Sequence, residues 1–289
     1  MKGYRSRYKS TSVKSDELDA FILADLLRTD RRNLSAINLD TPFVRELKEL
    51  IIDRERYVRD EVRLVNRLKG CLVDPEALEF FDNPAGKVAL AFWEAYPTLS
   101  DAKGLTVEEI KKFLAQHKWY RDQDKVAERI VKIVKGNTIQ VLEDVVRVKS
   151  RMFLGIVKQL KVVKELIAEY DGEIKHLMEG CENAGQYTSL PGAGLVLGTA
   201  IYTLFASGMQ FNRLTDIRAY VGTAPVTSQS GQFKGIGFRY GCNRFYRNIF
   251  HQFAFCSLRR SQWAKEYYRR KRREGKKSLG KGGLCDVAQ

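Results

Sequence analysis

Two long, highly charged stretches with a regular apolar stripe constrain the fold more than any other feature. In residues 42–72 apolar side chains recur every three or four positions, at Phe43, Leu47, Leu50, Tyr57, Val58, Val62, Val65, Leu68 and Leu72. Residues 125–178 repeat this spacing, with an interruption at Gly136 and Asn137. Such a period predicts amphipathic helices. The pair therefore indicates either an antiparallel helical arm, which spaces domains or pairs protomers, or an ordinary helical bundle.

The segment between these two stretches has a different character. Residues 74–119 contain Pro75, Pro84 and Pro97 among short apolar runs at 88–96 and 106–116. Proline disfavours a continuous helix, so a small insert of short helices is predicted here.

The overall charge narrows the class of partner. The chain has 289 residues with 50 Lys and Arg against 35 Asp and Glu, a formal net charge of +15. This excess favours a polyanion, with nucleic acid ahead of an anionic membrane surface, because neither a lipidation signal nor an amphipathic anchor is present. No apolar run approaches the roughly 18–20 residues of a membrane span. We expect a cytoplasmic protein without membrane contact.

Few residues are available for metal or triad chemistry based on Cys and His. The five cysteines are far apart and form no Cys-x-x-Cys pair, and the three histidines are isolated. Disulfides, a zinc site and a Ser-His-Asp triad are all disfavoured.

A short acidic helix is predicted near the N-terminus. Residues 1–15 form a basic arm, and residues 14–28 have helical spacing after a cap at Ser15 or Asp16. Asp16 and Asp19 are three positions apart, so their carboxylates lie on one helix face and could share a divalent cation.

The sequence Leu-Pro-Gly-Ala-Gly at 190–194 resembles a glycine turn that opens a helix. Amide groups at Gly192 and Gly194, together with the positive end of the helix, could hold a nucleic-acid phosphate, as in helix-hairpin-helix modules. The alternative is an ordinary turn.

A candidate nucleophile follows in the glycine-rich motif at 222–231, after a predicted helix at 211–220. Ser228 and Ser230 lie in what we expect to be a flexible loop, and Ser230 precedes Gly231. The cations that could stabilise a phosphoryl transition state are Lys234, Arg239, Arg244 and Arg247. A serine needs such activation to attack, and the alternative for Ser230 is a turn-forming role.

The C-terminal region is strongly basic. Residues 259–281 contain eleven Lys or Arg, among them Arg269 and Arg270, against two Glu. Trp263, Tyr267 and Tyr268 could stack on bases or sugars. The alternative is a solvated helix end.

Five motifs in one order resemble the DEDD-type insertion-sequence transposases, which include the Piv-type DNA invertases and the bridge-RNA-guided recombinases. They are Lys-Ser-Asp-x-x-Asp-Ala at 14–20, Leu-Pro-Gly-x-Gly at 190–194, Gly-Thr-Ala-Pro-Val-Thr-x-x-Ser-Gly at 222–231, Arg-x-Gly-Cys-Asn-Arg at 239–244 and the basic run 267–276. Each motif alone is weak, but their order spans almost the whole chain.

The resemblance implies a catalytic scheme. Family members have a RuvC-like domain whose four acidic residues bind Mg²⁺, and the last two of these match Asp16 and Asp19. The serine that attacks DNA matches Ser230. A structured guide RNA would pair with DNA, and a homo-oligomer, either a dimer or a tetramer, would combine the metal and serine sites of different protomers.

The resemblance also implies the domain organisation. We expect a mainly α protein with a remnant of a RuvC-like α/β domain at 1–40 and a coiled-coil-like arm with its insert at 41–183. A small helical serine domain with a helix-hairpin-helix-like motif would occupy 184–275, followed by a disordered tail at 276–289.

Two functions stay open. No Asp or Glu precedes Asp16, so we expect an N-terminally truncated family member with half of the metal tetrad. The chain is either a transposase that catalyses recombination by serine attack with Mg²⁺, or a remnant that binds nucleic acid without cutting it. Whether it is an enzyme is left undecided by the sequence.

Overall fold

The computed structural model describes residues 15–34, 39–72, 75–136, 142–209, 211–230 and 233–273, and it confirms a mainly α fold. The helices are α1 (Asp16–Thr29), α2 (Pro42–Cys71), α3 (Lys87–Ala95), α4 (Leu99–Ala102), α5 (Val107–Gln116), α6 (Gln123–Val134), α7 (Glu143–Glu179), α8 (Ala184–Thr188), α9 (Gly194–Phe205), α10 (Leu214–Tyr220), α11 (Arg244–Arg260) and α12 (Gln262–Arg273). Short 3₁₀ turns occupy Arg31–Asn33 and Pro75–Phe80, and an antiparallel hairpin joins β1 (Val226–Ser230) to β2 (Phe233–Gly237). Within these ranges, no helix is both long and apolar enough to cross a membrane.

The predicted basic arm at 1–15, apart from Ser15, and the predicted tail at 276–289 lie outside the described residues.

The two long stretches form an antiparallel pair of helices within one chain. Arg54 of α2 binds Asp171 of α7, with 2.5 Å between Nε and Oδ1, and Glu61 pairs with Lys164. From the first ion pair to the second, the chain advances seven residues along α2 and goes back seven residues along α7, so the two helices run in opposite directions. The predicted interruption near Gly136 is confirmed, because α6 ends at Val134 and α7 begins at Glu143. Pairing between protomers stays a prediction.

The apolar stripe predicted for α2 is only partly correct. The helix begins as its sequence suggests, with Thr41 Oγ1 accepting a hydrogen bond from the Val44 amide and proline in the first turn. Its side chains with little exposure are Val44, Leu47, Ile51, Leu64 and Leu68, whereas Val62 is 55% exposed. The reason is that α2 contributes to two separate cores, one near each end, and its middle is partly solvated.

The first core joins the insert to one end of the helix pair. Trp93 of α3 stacks on Phe80 at 5.4 Å between ring centroids and meets Phe153 of α7 edge-on at 5.6 Å. Its indole Nε1 donates a 3.0 Å hydrogen bond to the Pro84 carbonyl, so its buried polar atom is satisfied. The predicted helical insert is confirmed by α3 and α5, with α4 and α6 completing it.

The second core joins the C-terminal helices to the opposite end of the pair. Its fully buried members come from α2, α7, α9 and α11: Leu47, Ile51, Ile174, Met178, Ala200, Ile201 and Ile249. On the surface, Asn248 and Gln252 of α11 donate hydrogen bonds of 3.2 Å to Glu55 of α2. The helix pair therefore holds the insert at one end and the C-terminal region at the other.

Asp40 connects the chain before α2 to the loop that follows α9. Its carboxylate accepts a 2.9 Å hydrogen bond from the Gly208 amide and pairs with Lys48. Burial by itself raises the pKa of Asp40, but the hydrogen bonds from Lys48 and Gly208 outweigh it and lower that pKa below its ordinary 3.8. Asp40 thus stabilises the fold in its ionised form.

Replacing Asp40 by asparagine is expected to lower the free energy of unfolding by about 1–2 kcal/mol at neutral pH, since a charge-assisted hydrogen bond is lost. Because the folded-state pKa is lowered, the contribution is present above pH 3.8 and is lost as the pH falls through the folded value. Denaturant unfolding against pH measures this difference. Asp124→Asn is the control, because its pair with Lys111 is solvent-exposed. Equal effects of the two variants would contradict the prediction.

Candidate serine hairpin and nucleic-acid interface

Ser230 is the last residue of β1, and its side chain is exposed. The hairpin pairs Val226 with Gly237 at its base and Ser230 with Phe233 at its tip. The prediction of a flexible loop is wrong for this segment, and the small helical C-terminal domain contains a β-hairpin. Val226, Thr227 and Ile236 are β-branched and suit an extended backbone, but runs of five residues with interspersed glycines give too short a signal to detect.

Two of the arginines predicted to contact nucleic acid hold the base of this hairpin. Arg239 Nε donates a 3.2 Å hydrogen bond to the Ala224 carbonyl, which ties the exit from β2 to the entrance of β1. Arg247 of α11 donates to the Arg239 carbonyl and lies 4.3 Å from the Phe238 ring centroid. The orientation of the hairpin relative to α11 therefore depends on Arg239 and Arg247.

Gly222 allows this close packing. Its φ is +71°, and a Cβ placed there would lie 2.6 Å from Arg247 Nε and 2.7 Å from Cys242 Sγ. Asn243 fixes the next turn, because its Oδ1 caps α11 by accepting from the amides of Phe245 and Tyr246. Sequence reasoning missed these roles for Gly222 and Asn243, although an Asn just before an apolar helical run is a signal for a cap.

A cavity of about 460 Å³ lies beside the hairpin exit, and its lining residues are Phe238, Tyr240, Arg244, Arg247, Asn248 and His251. Burial, followed by the positive charge of Arg247, lowers the pKa of His251 below its ordinary value. The imidazole is consequently neutral at physiological pH, and Arg244 supplies an exposed positive charge. Such a cavity suits an anionic group with an attached ring.

Gly192, in the turn before α9, and Gly194, the first residue of α9, occupy different environments. Gly192 has a φ of +93°, and a Cβ there would lie 2.6 Å from the Cys256 carbonyl carbon and the Ser257 amide nitrogen of α11. Gly194 has a φ of +60°, but a Cβ there would meet no atom within 4 Å. The predicted turn that opens a helix is confirmed. Gly192 serves backbone packing, and phosphate binding by either glycine stays a prediction.

The basic C-terminal segment is helical as far as Arg273. In α12, Arg269 and Arg270 are exposed, while Ala264 packs against Ala254 of α11. Trp263 and Tyr267 stack with 5.3 Å between ring centroids. Lys234 lies in β2 opposite Gln229, and its side chain is outside the described part of the chain. Cations and aromatic rings thus share one helix, a combination that single-stranded nucleic-acid binding uses.

Asp16 and Asp19 lie in the first turn of α1, where Ser15 Oγ caps the helix at 3.2 Å from the Leu18 amide. Carboxylates at this end also stabilise the helix dipole. Across the described residues, no group of three or more His, Cys, Asp or Glu could hold a metal ion. Two carboxylates do not complete the six-oxygen set that Mg²⁺ prefers, so a metal role for this pair stays a prediction.

Comparison with known proteins agrees with the order of the motifs. Residues 1–74 match the transposase family DEDD_Tnp_IS110, and residues 186–269 match the transposase IS116/IS110/IS902 family. Together these matches cover more than half of the chain, and the second contains the serine hairpin. The chain belongs to the IS110/IS116/IS902 transposase family.

Relatives in this family match most of the chain. An uncharacterized 44.8 kDa protein of insertion element IS116 from Streptomyces clavuligerus is 28% identical over 91% of the chain and 65% of its own length. The mini-circle transposase candidate for IS117 from Streptomyces coelicolor is 26% identical over 94% of the chain and 67% of its own length. The transposase for insertion sequence element IS1111A from Coxiella burnetii is 21% identical over 76% of the chain and 48% of its own length. The chain therefore spans about two thirds of the length of the first two relatives.

Proposed function

We propose that this chain acts in the transposition of an insertion sequence and that Ser230 attacks a DNA phosphodiester. In this step the Ser230 Oγ–P bond forms and one P–O ester bond breaks. The released DNA hydroxyl retains the oxygen and gains a proton, the serine loses its proton, and a phosphoserine link remains. The observation that carries the proposal is the exposed position of Ser230 at the end of an anchored hairpin, inside the segment that matches the transposase family.

The geometry around the hairpin favours a nucleophile that is presented rather than buried. The hydrogen bonds of Arg239 and Arg247 fix the base of the hairpin, and Ser230 is exposed at the far end of β1. DNA is a bulky polyanion, so an attacking oxygen needs an open approach and cationic surroundings. Arg244, exposed beside the hairpin exit, suits a phosphate contact in this scheme.

For the metal, we propose that Asp16 and Asp19 supply two oxygen ligands of Mg²⁺. The remaining ligands would be water, DNA phosphate or further acidic groups, because two carboxylates are insufficient alone. When bound, the ion would neutralise charge on the phosphodiester. This chain's own contribution is to hold the two carboxylates one turn apart on a capped helix.

Membership of the transposase family also suggests the binding partners of this chain. We propose that DNA is the substrate, that a structured guide RNA selects its sequence by base pairing, and that a homo-oligomer brings the acidic helix of one protomer to the serine of another. A positively charged α12 favours a nucleic-acid partner under any of these arrangements.

The alternative is a nucleic-acid-binding protein that performs no chemistry. It is favoured by the absence, among the described residues, of a third ligand near Asp16 and Asp19. Such a protein would still bind DNA through the exposed cations of α12, with an affinity that decreases steeply with salt.

A covalent adduct separates the two functions. The full chain is incubated with Mg²⁺, a DNA fragment carrying the ends of its insertion sequence and RNA transcribed from that element, and then denatured. We expect a protein–DNA species that survives denaturation and, after digestion, a nucleotide attached to the peptide containing Ser230. Salt-dependent binding without any adduct would instead favour the non-catalytic function.

A further inference from the structure

Helix α12 carries a ladder of stacked groups along one of its faces. Trp263 and Tyr267 are four residues apart, and their rings are inclined by only 20° at 5.3 Å between centroids. One turn further on, the Arg270 guanidinium lies 5.1 Å from the Tyr267 ring centroid and the Lys271 ammonium 5.9 Å from it. Residues at this spacing follow one another along a helix face, so the order is indole, phenol and cation.

The ladder ends at an open ring. Tyr267 has ring or cation contacts with residues both before and after it in the helix, whereas Trp263 stacks on Tyr267 with one face and is 65% exposed. An indole placed in solvent at the end of a stack offers its outer face to a further planar group. Indole is also the side chain with the strongest attraction for such contacts.

The charge of α12 specifies what kind of planar group fits. The helix contains six Lys or Arg and the single acid Glu266, which accepts a 2.8 Å hydrogen bond from Gln262. Arg259 and Arg260 lie at the end of α11, directly before this helix. A ligand with planar groups and several negative charges could stack on the indole and also pair with these cations. A nucleotide strand has both properties.

The geometry of stacking indicates whether that strand is single or paired. In a duplex each base face is covered by its neighbours, and only base edges are accessible in the grooves. Away from the ends of a duplex, a ring such as that of Trp263 can therefore stack only on a base that is unpaired. We propose that the outer face of Trp263 is a binding site for one unpaired base of a single-stranded nucleic acid, whose phosphates contact Arg270 and Lys271.

This inference rests on the proposed function only in taking nucleic acid as the partner, and it is independent of Ser230 chemistry. The competing occupant of the indole face is an aromatic or apolar side chain of a protein partner. The ligands used below separate these cases, because the same strand can be supplied with its bases, without them, or paired.

The test compares Trp263→Ala with Trp263→Phe in the full chain by fluorescence anisotropy. The ligands are a labelled single-stranded DNA, the RNA of the same sequence, the duplex, and a strand of the same length made of abasic sites. Tyr120→Ala is the matched control, because Tyr120 is a similarly exposed aromatic residue (73%) in the helical insert. Circular dichroism and thermal melting check that all variants fold alike.

We expect Trp263→Ala to weaken binding of the single strand about tenfold, the effect of losing one stacked base. Trp263→Phe should retain most of the affinity, and Tyr120→Ala all of it. On the duplex and the abasic strand, Trp263→Ala should have no effect, and the salt dependence should not change because no charge is removed. Comparison of DNA with RNA reports which strand binds more tightly, and tight binding of either supports the proposal.

Three results would overturn the proposal. The first is equal weakening on all four ligands, which means a general structural effect, and the second is an unchanged affinity for both single strands. The third is a loss for Trp263→Phe as large as for Trp263→Ala. In contrast, Arg270→Ala should weaken every ligand and reduce the slope of affinity against salt. Loss of covalent chemistry with retained stacking would contradict the serine proposal alone.

Discussion

Replacing Ser230 by alanine is expected to abolish the covalent protein–DNA adduct completely while the affinity for DNA changes less than about twofold. The alanine side chain has no oxygen with which to form a bond to phosphorus, so no slower route through this residue exists. Affinity depends instead on cationic contacts to phosphates, which the substitution leaves in place. Denaturing electrophoresis measures the adduct, and a filter-binding assay measures the affinity.

Ser228→Ala is the matched control, since Ser228 is a serine two positions earlier in the same strand. It should retain adduct formation, because only Ser230 stands at the tip of the strand pairing. An adduct that persists in Ser230→Ala, or one that disappears only in Ser228→Ala, would exclude Ser230 as the nucleophile. Loss in both variants together with a lower melting temperature would indicate that the hairpin had been disrupted.

Helical periodicity predicts the two long helices of this chain but not the identity of their buried positions. Apolar spacing locates α2 and α7 because an amphipathic helix is encoded in neighbouring residues. It does not show which core each residue contacts, so the predicted stripe includes Val62, which is exposed, and lacks Val44 and Ile51, which are buried. A helix that serves two cores has no single buried face.

The sequence proposes the candidate site as a set of residues but does not predict how those residues are arranged. The order of the motifs identified the transposase family and placed Ser230 in its second matching segment. The hairpin itself depends on a contact between Arg247 and Arg239, two residues on different elements, and on the positive φ of Gly222. Neither is encoded in a local pattern, so the sequence does not show that Arg239 and Arg247 brace the hairpin. Their contact with nucleic acid stays a prediction.

The last prediction concerns Gly192, in the turn before α9, and Gly194, the first residue of that helix, which the sequence treats as equivalent. Replacing Gly192 by alanine is expected to lower the free energy of unfolding by about 3 kcal/mol or more, since strain at a positive φ and overpacking each cost about 1–3 kcal/mol. The new Cβ would lie 2.6 Å from backbone atoms of Cys256 and Ser257, which have no rotamer with which to move away. Urea unfolding followed by circular dichroism measures the change.

Gly194→Ala is the control that separates packing from phosphate binding. Its φ of +60° is also left-handed, but the added Cβ meets nothing within 4 Å, so only about 1–2 kcal/mol of backbone strain is expected. If the turn mainly binds a phosphate, both variants should weaken DNA binding and lower the free energy of unfolding by similar, small amounts. A large loss of stability confined to Gly192→Ala would instead mean that Gly192 is needed because the turn packs directly against the backbone of α11, the helix whose Arg247 orients the serine hairpin.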